Sequence, residues 1–142
     1  MKQAGVDAVV IHGRAEKPVY IVIDDDRVRI KDASRLWGLD AYEAQDAIQE
    51  KEGDAFEVIT TGQAGERLVR FANIQTAKKS YAGRCGFGAV MGSKLLKGVA
   101  VRGTQKCPLH DPAGNDALNK AINRRLAEVD ASKPEEFRIS WL

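Results

Sequence analysis

"SYAGRCGFGAVMGSK", Ser80 to Lys94, decides how the chain is read, because its four glycines suit both a tight turn and a helix start. A nucleotide P-loop requires G-x-x-x-x-G-K-[ST] after a strand. Here Gly92-Ser93-Lys94 reverses the last two residues, which misplaces the lysine and the hydroxyl. A dinucleotide fingerprint requires G-x-G-x-x-G. Gly86 and Gly88 begin it, but Met91 stands in the third glycine's place and no Asp or Glu follows at ribose distance. Neither nucleotide rule applies. The physics behind them remains: small residues let backbone approach a ligand, and N–H groups at a helix start favour an anion. Arg84 adds a planar fork suited to phosphate.

The residues around the loop are basic. From Arg67 to His110 there is no Asp or Glu, while nine Lys or Arg occur: Arg67, Arg70, Lys78, Lys79, Arg84, Lys94, Lys97, Arg102 and Lys106. The first 66 residues carry 14 of the 20 acids, so the chain is electrically lopsided although its net charge is only +2. That small sum argues against a dedicated nucleic-acid binder, and the local excess suits either a bound anion or a solvated face. At 142 residues, 44% apolar and 30% charged, the chain can bury a core in one ordinary domain. No apolar run is long enough to cross a bilayer and no signal-peptide pattern opens the chain. Cys85 and Cys107 match neither a C-x-x-C motif nor a disulfide framework, so a reduced, cytoplasmic setting is expected. Cys85 lacks a second Cys or His at ligand spacing and reads as structural or incidental; Ser80 and Ser93 lack a neighbouring His for nucleophilic catalysis.

Working outward, "VDAVVIH" (6–12) reads as a buried strand closed by Gly13. "VYIVI" (19–23), "DDD" (24–26) and "RVRIK" (27–31) read as a hairpin, the first strand covered on both faces and the second showing one face to water. The three aspartates lack the spacing of an EF-hand and read as a turn. Asp40 with Glu43 is an acidic capping box opening a helix over 41–52, which Gly53 stops. "FEVIT" (56–60) reads as a strand, "GQAGE" (62–66) as a turn, and "RLVRFANI" (67–74) and "GVAVRG" (98–103) as strands. A last helix beginning near Asn115 or Asp116 would bury Leu118, Ala121, Ile122, Leu126 and Val129. "FRISWL" (137–142) is a strand-like tail. A C-terminal edge strand would explain the tail, and a chain cut from something longer would explain both this ending and the opening directly onto a core strand.

Four blocks, "AGVDAVVIHGRAEKPVYIVI", "DASRLWG", "GQAGERLVRFANI" and "AGRCGFGAVMGSKLLKGVAVRGT", together resemble the N-terminal domain of the aldehyde ferredoxin oxidoreductases. The resemblance runs in order from about Gly5 to Thr104. It implies an α+β fold of mixed β-sheet layers flanked by helices, with 1–106 as the latter part of that N-terminal domain. Residues 107–142 would then be a linker and the first helix of the following helical domain. It also implies that the family's full enzyme carries tungsten or molybdenum on a bis-pyranopterin (molybdopterin-type) cofactor with Mg, and a [4Fe-4S] cluster.

By the resemblance, the strand before the glycine loop meets the pterin phosphates. The candidate cofactor-binding residues are Ser80, Tyr81, Gly83 and Arg84, and the Tyr81 backbone carbonyl is the candidate Mg ligand. Tyr81 is usually Ala in the family, Ser80 usually an Arg whose contact Lys78 or Lys79 would have to replace, and Cys85 usually Gly. The family's earlier half-domain should precede Met1, and its cluster cysteines and acidic pterin motifs should follow Leu142. The chain alone is therefore expected to bind no metal centre. It would work with the remainder of the enzyme or a complementary subunit, ferredoxin being reached through the full enzyme and a homo-oligomer being open. No catalytic residue is nominated. The reaction implied is oxidation of an aldehyde to a carboxylic acid. Two rival readings stand beside it: a non-catalytic accessory or assembly subunit, and a phosphate-binding module.

Overall fold

The computed structural model describes residues 1–76 and 80–132. A run of β-branched residues needs partners on both sides, and β1 (Val19–Asp24) finds them: β2 (Arg27–Asp32) antiparallel and β6 (Leu96–Arg102) parallel. With β3 (Glu57–Thr60), β4 (Ile74–Thr76) and β5 (Ser80–Ala82) they form one six-stranded mixed sheet of order β2-β1-β6-β3-β4-β5. Only the β1–β6 pair is parallel, so the fold is α+β as the sequence implies.

The period-two alternation of β1 splits the core. Tyr20 and Val22 join Ala33, Ile48, Phe56, Val58 and Ala100 on the face covered by α1 (Ala41–Glu52). Ile21 and Ile23 join Ala4, Met91, Leu96 and Val99 on the other. Helix α1 has the expected bounds. Asp40 accepts from the Glu43 amide while the Glu43 side chain accepts from the Asp40 amide, closing the capping box.

The chain divides after Cys107. The second unit holds α4 (Pro112–Ala131), which begins at Pro112 rather than near Asn115 or Asp116, because the Asp111 carboxylate caps it through the Gly114 amide. None of its residues is buried, so the expected burial of Leu118, Ala121, Ile122, Leu126 and Val129 is not found; the apolar stripe lies open. Among the described residues no helix is long and apolar enough to cross a membrane. The tail at 137–142 lies outside the described residues.

Four other expectations need correction. Residues 6–12 form no strand: Val9 and Val10 are exposed, and only Ile11 packs against the second core face. An apolar run signals something to bury, not a ladder to join. Residues 67–73 are also not a strand, and β4 starts only at Ile74. Their backbone is committed elsewhere, the Ala72 carbonyl accepting from the Gly88 amide and the Arg70 carbonyl lying against Gly86. "GQAGE" contains a single helical turn, α2 (Gln63–Glu66). Finally, β2 lies at the sheet edge with five of its six residues exposed, Val28 and Ile30 at 65% and 69%, so both faces are largely open and only Lys31 is partly covered.

Two ion pairs tie the hairpin to the rest. Arg102 grips Asp24 bidentately at 2.7 and 2.8 Å. Glu52 accepts from Lys31 at 2.7 and 2.6 Å and from the Tyr20 hydroxyl at 2.5 Å. The Arg102 hydrogen bonds hold Asp24 below the ordinary carboxylate range. Burial pushes Glu52 up, but the bonds from Lys31 and Tyr20 outweigh it and the net direction is down. Carboxylates depressed in the folded state contribute stability above the unfolded values near about 4, and that contribution is lost as pH falls through the folded values. The urea midpoint is therefore expected to drop between about pH 6 and about pH 3. A flat profile would contradict the pairing.

Candidate functional site

The glycine loop is reached from β5, the edge strand opposite β2. Ser80 and Tyr81 are exposed on it. The register aligns Thr60, Gln75 and Tyr81 across β3, β4 and β5, so their side chains share the face that meets α1. Each meets α1 through a polar contact: Thr60 Oγ1 donates to the Ala41 carbonyl at 2.8 Å and Gln75 Nε2 to Gln45 Oε1 at 3.4 Å. The Tyr81 hydroxyl bonds to that of Tyr42. That is where the large ring at position 81 finds room, and the Tyr42 bond raises the Tyr81 phenol above its ordinary range.

Beyond β5 the four glycines divide into two kinds. A Cβ on Gly88 would lie 2.3 Å from the Asn73 carbonyl oxygen, and one on Gly92 only 1.9 Å from that of Gly65. Gly65, in turn, presses on Thr61 and Gly88. These glycines let α3 (Phe87–Ser93) touch the backbone of α2 and of the 70–73 turn; they serve internal packing, not a ligand. Gly86 has φ +67° and abuts the Arg70 carbonyl. Gly83 is different. Its φ is ordinary and a Cβ there would meet nothing within 4 Å, so no packing among the described residues requires glycine.

Arg84 is exposed and has no hydrogen bond or ion pair among the described residues. Cys85 is exposed with a free thiol and stands in the left-handed region at φ +63°. A side chain there costs roughly 1–2 kcal/mol, partly offset by glycine's larger unfolded-state entropy. Cys85→Gly is thus expected to raise stability by about 1 kcal/mol, read as a higher urea midpoint; a lower midpoint would exclude strain at this position.

The basic segment is less free than its sequence suggests. Lys97 is wholly buried, Arg102 is held by Asp24, and Lys94 donates to the Gly13 carbonyl at 3.0 Å. Lys78 and Lys79 lie outside the described residues. Arg67, Arg70, Arg84 and Lys106 are exposed and have no side-chain hydrogen bond or ion pair among the described residues; of these, Arg84 is the one next to the open face of Gly83, directly after an edge strand. Room for close approach and a guanidinium without a partner among the described residues suit a phosphate. They do not suit an iron–sulfur cluster, which takes four thiolates where the chain has Cys85 and Cys107, both exposed. Among the described residues no three His, Cys, Asp or Glu side chains gather around a metal-sized space.

The residues sequence reasoning missed are Glu66 and Lys97. Lys97 Nζ donates to Glu66 Oε1 at 2.5 Å and to the Leu39 carbonyl at 2.8 Å, and the Glu66 carboxylate accepts from the Gly38 amide. One signal was available: Glu66 is the last acid before the acid-free segment.

The profile of the aldehyde ferredoxin oxidoreductase N-terminal domain matches residues 1–103. A tungsten-containing aldehyde ferredoxin oxidoreductase of Thermococcus kodakarensis is 49% identical over 112 residues, 78% of this chain and 18% of that protein. The WOR-like subunit of an aliphatic sulfonate oxidoreductase of Pyrococcus furiosus is 40% identical over 121 residues, 76% of this chain and 19% of its own length. Among solved structures, the active-site complex BamBC of benzoyl coenzyme A reductase, in complex with 1,5-dienoyl-CoA, superposes with a TM-score of 0.87 at 34% identity. That likeness covers 99% of this chain and 21% of that one. The chain spans about a fifth of the length of the relatives it matches.

Proposed function

The chain belongs to the aldehyde ferredoxin oxidoreductase family, and we propose that it supplies part of the saddle holding the phosphates of a tungsten pterin cofactor. The observation that carries this reading is the open face of Gly83 next to Arg84, whose guanidinium has no partner among the described residues. In this reading residues 1–106 are the latter part of the family's N-terminal domain and 107–142 lead into the next. Arg84 binds phosphate through its planar fork, Gly83 lets the backbone approach it, and Ser80 and Tyr81 border it from β5. The Tyr81 carbonyl is assigned to the Mg that neutralises the phosphates. When bound, the tungsten or molybdenum centre supplies the redox chemistry that turns an aldehyde into a carboxylic acid. Ferredoxin, the [4Fe-4S] cluster and the remaining ligands belong to the rest of the enzyme or a complementary subunit.

Titration of the chain with inorganic pyrophosphate, followed by backbone amide resonances, tests the site. Saturable shifts confined to Gly83, Arg84 and Cys85 are expected. Arg84→Ala should weaken binding by roughly tenfold, the loss of one charge-assisted hydrogen bond. No saturable response, or one unaffected by the substitution, would end this reading.

A further inference from the structure

We propose that the buried Lys97–Glu66 pair is a positioning device for the Gly83–Gly86 loop, an inference that rests on reading the loop as a phosphate site. Lys97 has no exposed surface, and its ammonium is directed at two acceptors, Glu66 Oε1 and the Leu39 carbonyl. Glu66 is itself nearly buried and takes the Gly38 amide on both oxygens, at 3.0 and 2.9 Å. Gln63 Nε2 closes the clamp by donating to the Gly38 carbonyl at 2.6 Å. One ion pair thus joins β6, α2 and the turn ending at Leu39.

The consequence lies in what α2 touches. With four residues it cannot hold its own orientation, since isolated helices need several turns to persist. Next to Glu66, Gly65 meets Gly88 and Gly92 backbone to backbone, and α3 begins immediately after the loop. The 70–73 turn completes the seat through the Gly88 amide bond to Ala72, at 2.9 Å, and the Arg70 contact with Gly86. Orientation therefore passes through a chain of contacts from Lys97 to Glu66, Gly65, Gly88 and the loop. Buried ion pairs can often be replaced by apolar residues without loss of stability, whereas apolar replacements carry no direction. Direction is what the loop takes from this pair.

The double variant Glu66→Leu/Lys97→Met, made in the full chain, separates positioning from stability. It should keep a near-native urea midpoint, exchange the Gly88 amide hydrogen about tenfold faster, and bind pyrophosphate about tenfold more weakly. Exchange within α1 should be unchanged. A folded double variant with wild-type Gly88 exchange and wild-type affinity overturns the proposal. Should the wild-type chain not bind pyrophosphate, the phosphate reading fails by itself and Gly88 exchange alone decides the positioning role. Glu66→Asp keeps the charge, shortens its reach by one methylene, and serves if the double variant does not fold. It should give the same change in Gly88 exchange at smaller size, and wild-type exchange there would overturn the proposal.

Discussion

Replacing Lys97 alone by methionine is expected to cost about 3–5 kcal/mol. Methionine fills nearly the same volume, so no large cavity opens. What is lost is the counter-charge: Glu66, with 6% of its side chain exposed, stays in the interior with the Gly38 amide as its remaining partner among the described residues, and the Leu39 carbonyl loses its donor. A stranded buried charge is far worse than no charge at all, because desolvation remains and its compensation is gone. Against a total stability of about 5–15 kcal/mol for a domain of this kind, such a loss moves the unfolding midpoint severely. Urea denaturation of Lys97→Met, Glu66→Leu and the double variant completes a double-mutant cycle. The pair should recover most of the loss. A single-variant penalty below about 1 kcal/mol would mean that Lys97 reaches water.

The same residue shows where the sequence stops being legible. Lys97 belongs to a run of nine basic residues without an acid, and in one dimension nothing separates it from Arg84. Strand alternation would have placed it on a face, but not said that Glu66 would come to meet it. Local signals fared better. The capping box at Asp40 and Glu43 fixes α1, and the β-branched run at 19–23 makes a central strand, because both depend on neighbours close in sequence. The segments at 6–12 and 67–73 are decided by distant contacts, above all the commitment of the Arg70–Ala72 backbone to the glycine loop. Their apolar residues signal burial, but local spacing does not distinguish a strand from a segment held by distant backbone contacts. At the site, the edge strand, the loop and the helix follow the order the sequence implies, whereas the role of each glycine does not. A glycine that packs against a backbone and one that leaves room for a ligand look alike in a sequence.

The glycines therefore provide the second large test. Gly92→Ala should cost about 3 kcal/mol or more, although in an exposed helix the same change gains about 1 kcal/mol. The added methyl would lie 1.9 Å from the Gly65 oxygen and 2.5 Å from its carbonyl carbon, both backbone atoms that cannot rotate away. Relief requires α2 and α3 to separate by more than an ångström, and the buried Lys97–Glu66 pair resists movement of α2. Gly83→Ala is the counterpart in the same motif. With nothing within 4 Å and an ordinary φ, it should leave stability unchanged or raise it by about 0.5 kcal/mol, through reduced freedom of the unfolded chain. The same methyl would stand in the space assigned to phosphate, so pyrophosphate affinity should fall while the urea midpoint holds. Opposite outcomes at positions nine residues apart would separate the packing glycine from the ligand glycine. Equal destabilisation at both would mean that Gly83, like Gly92, serves only the fold.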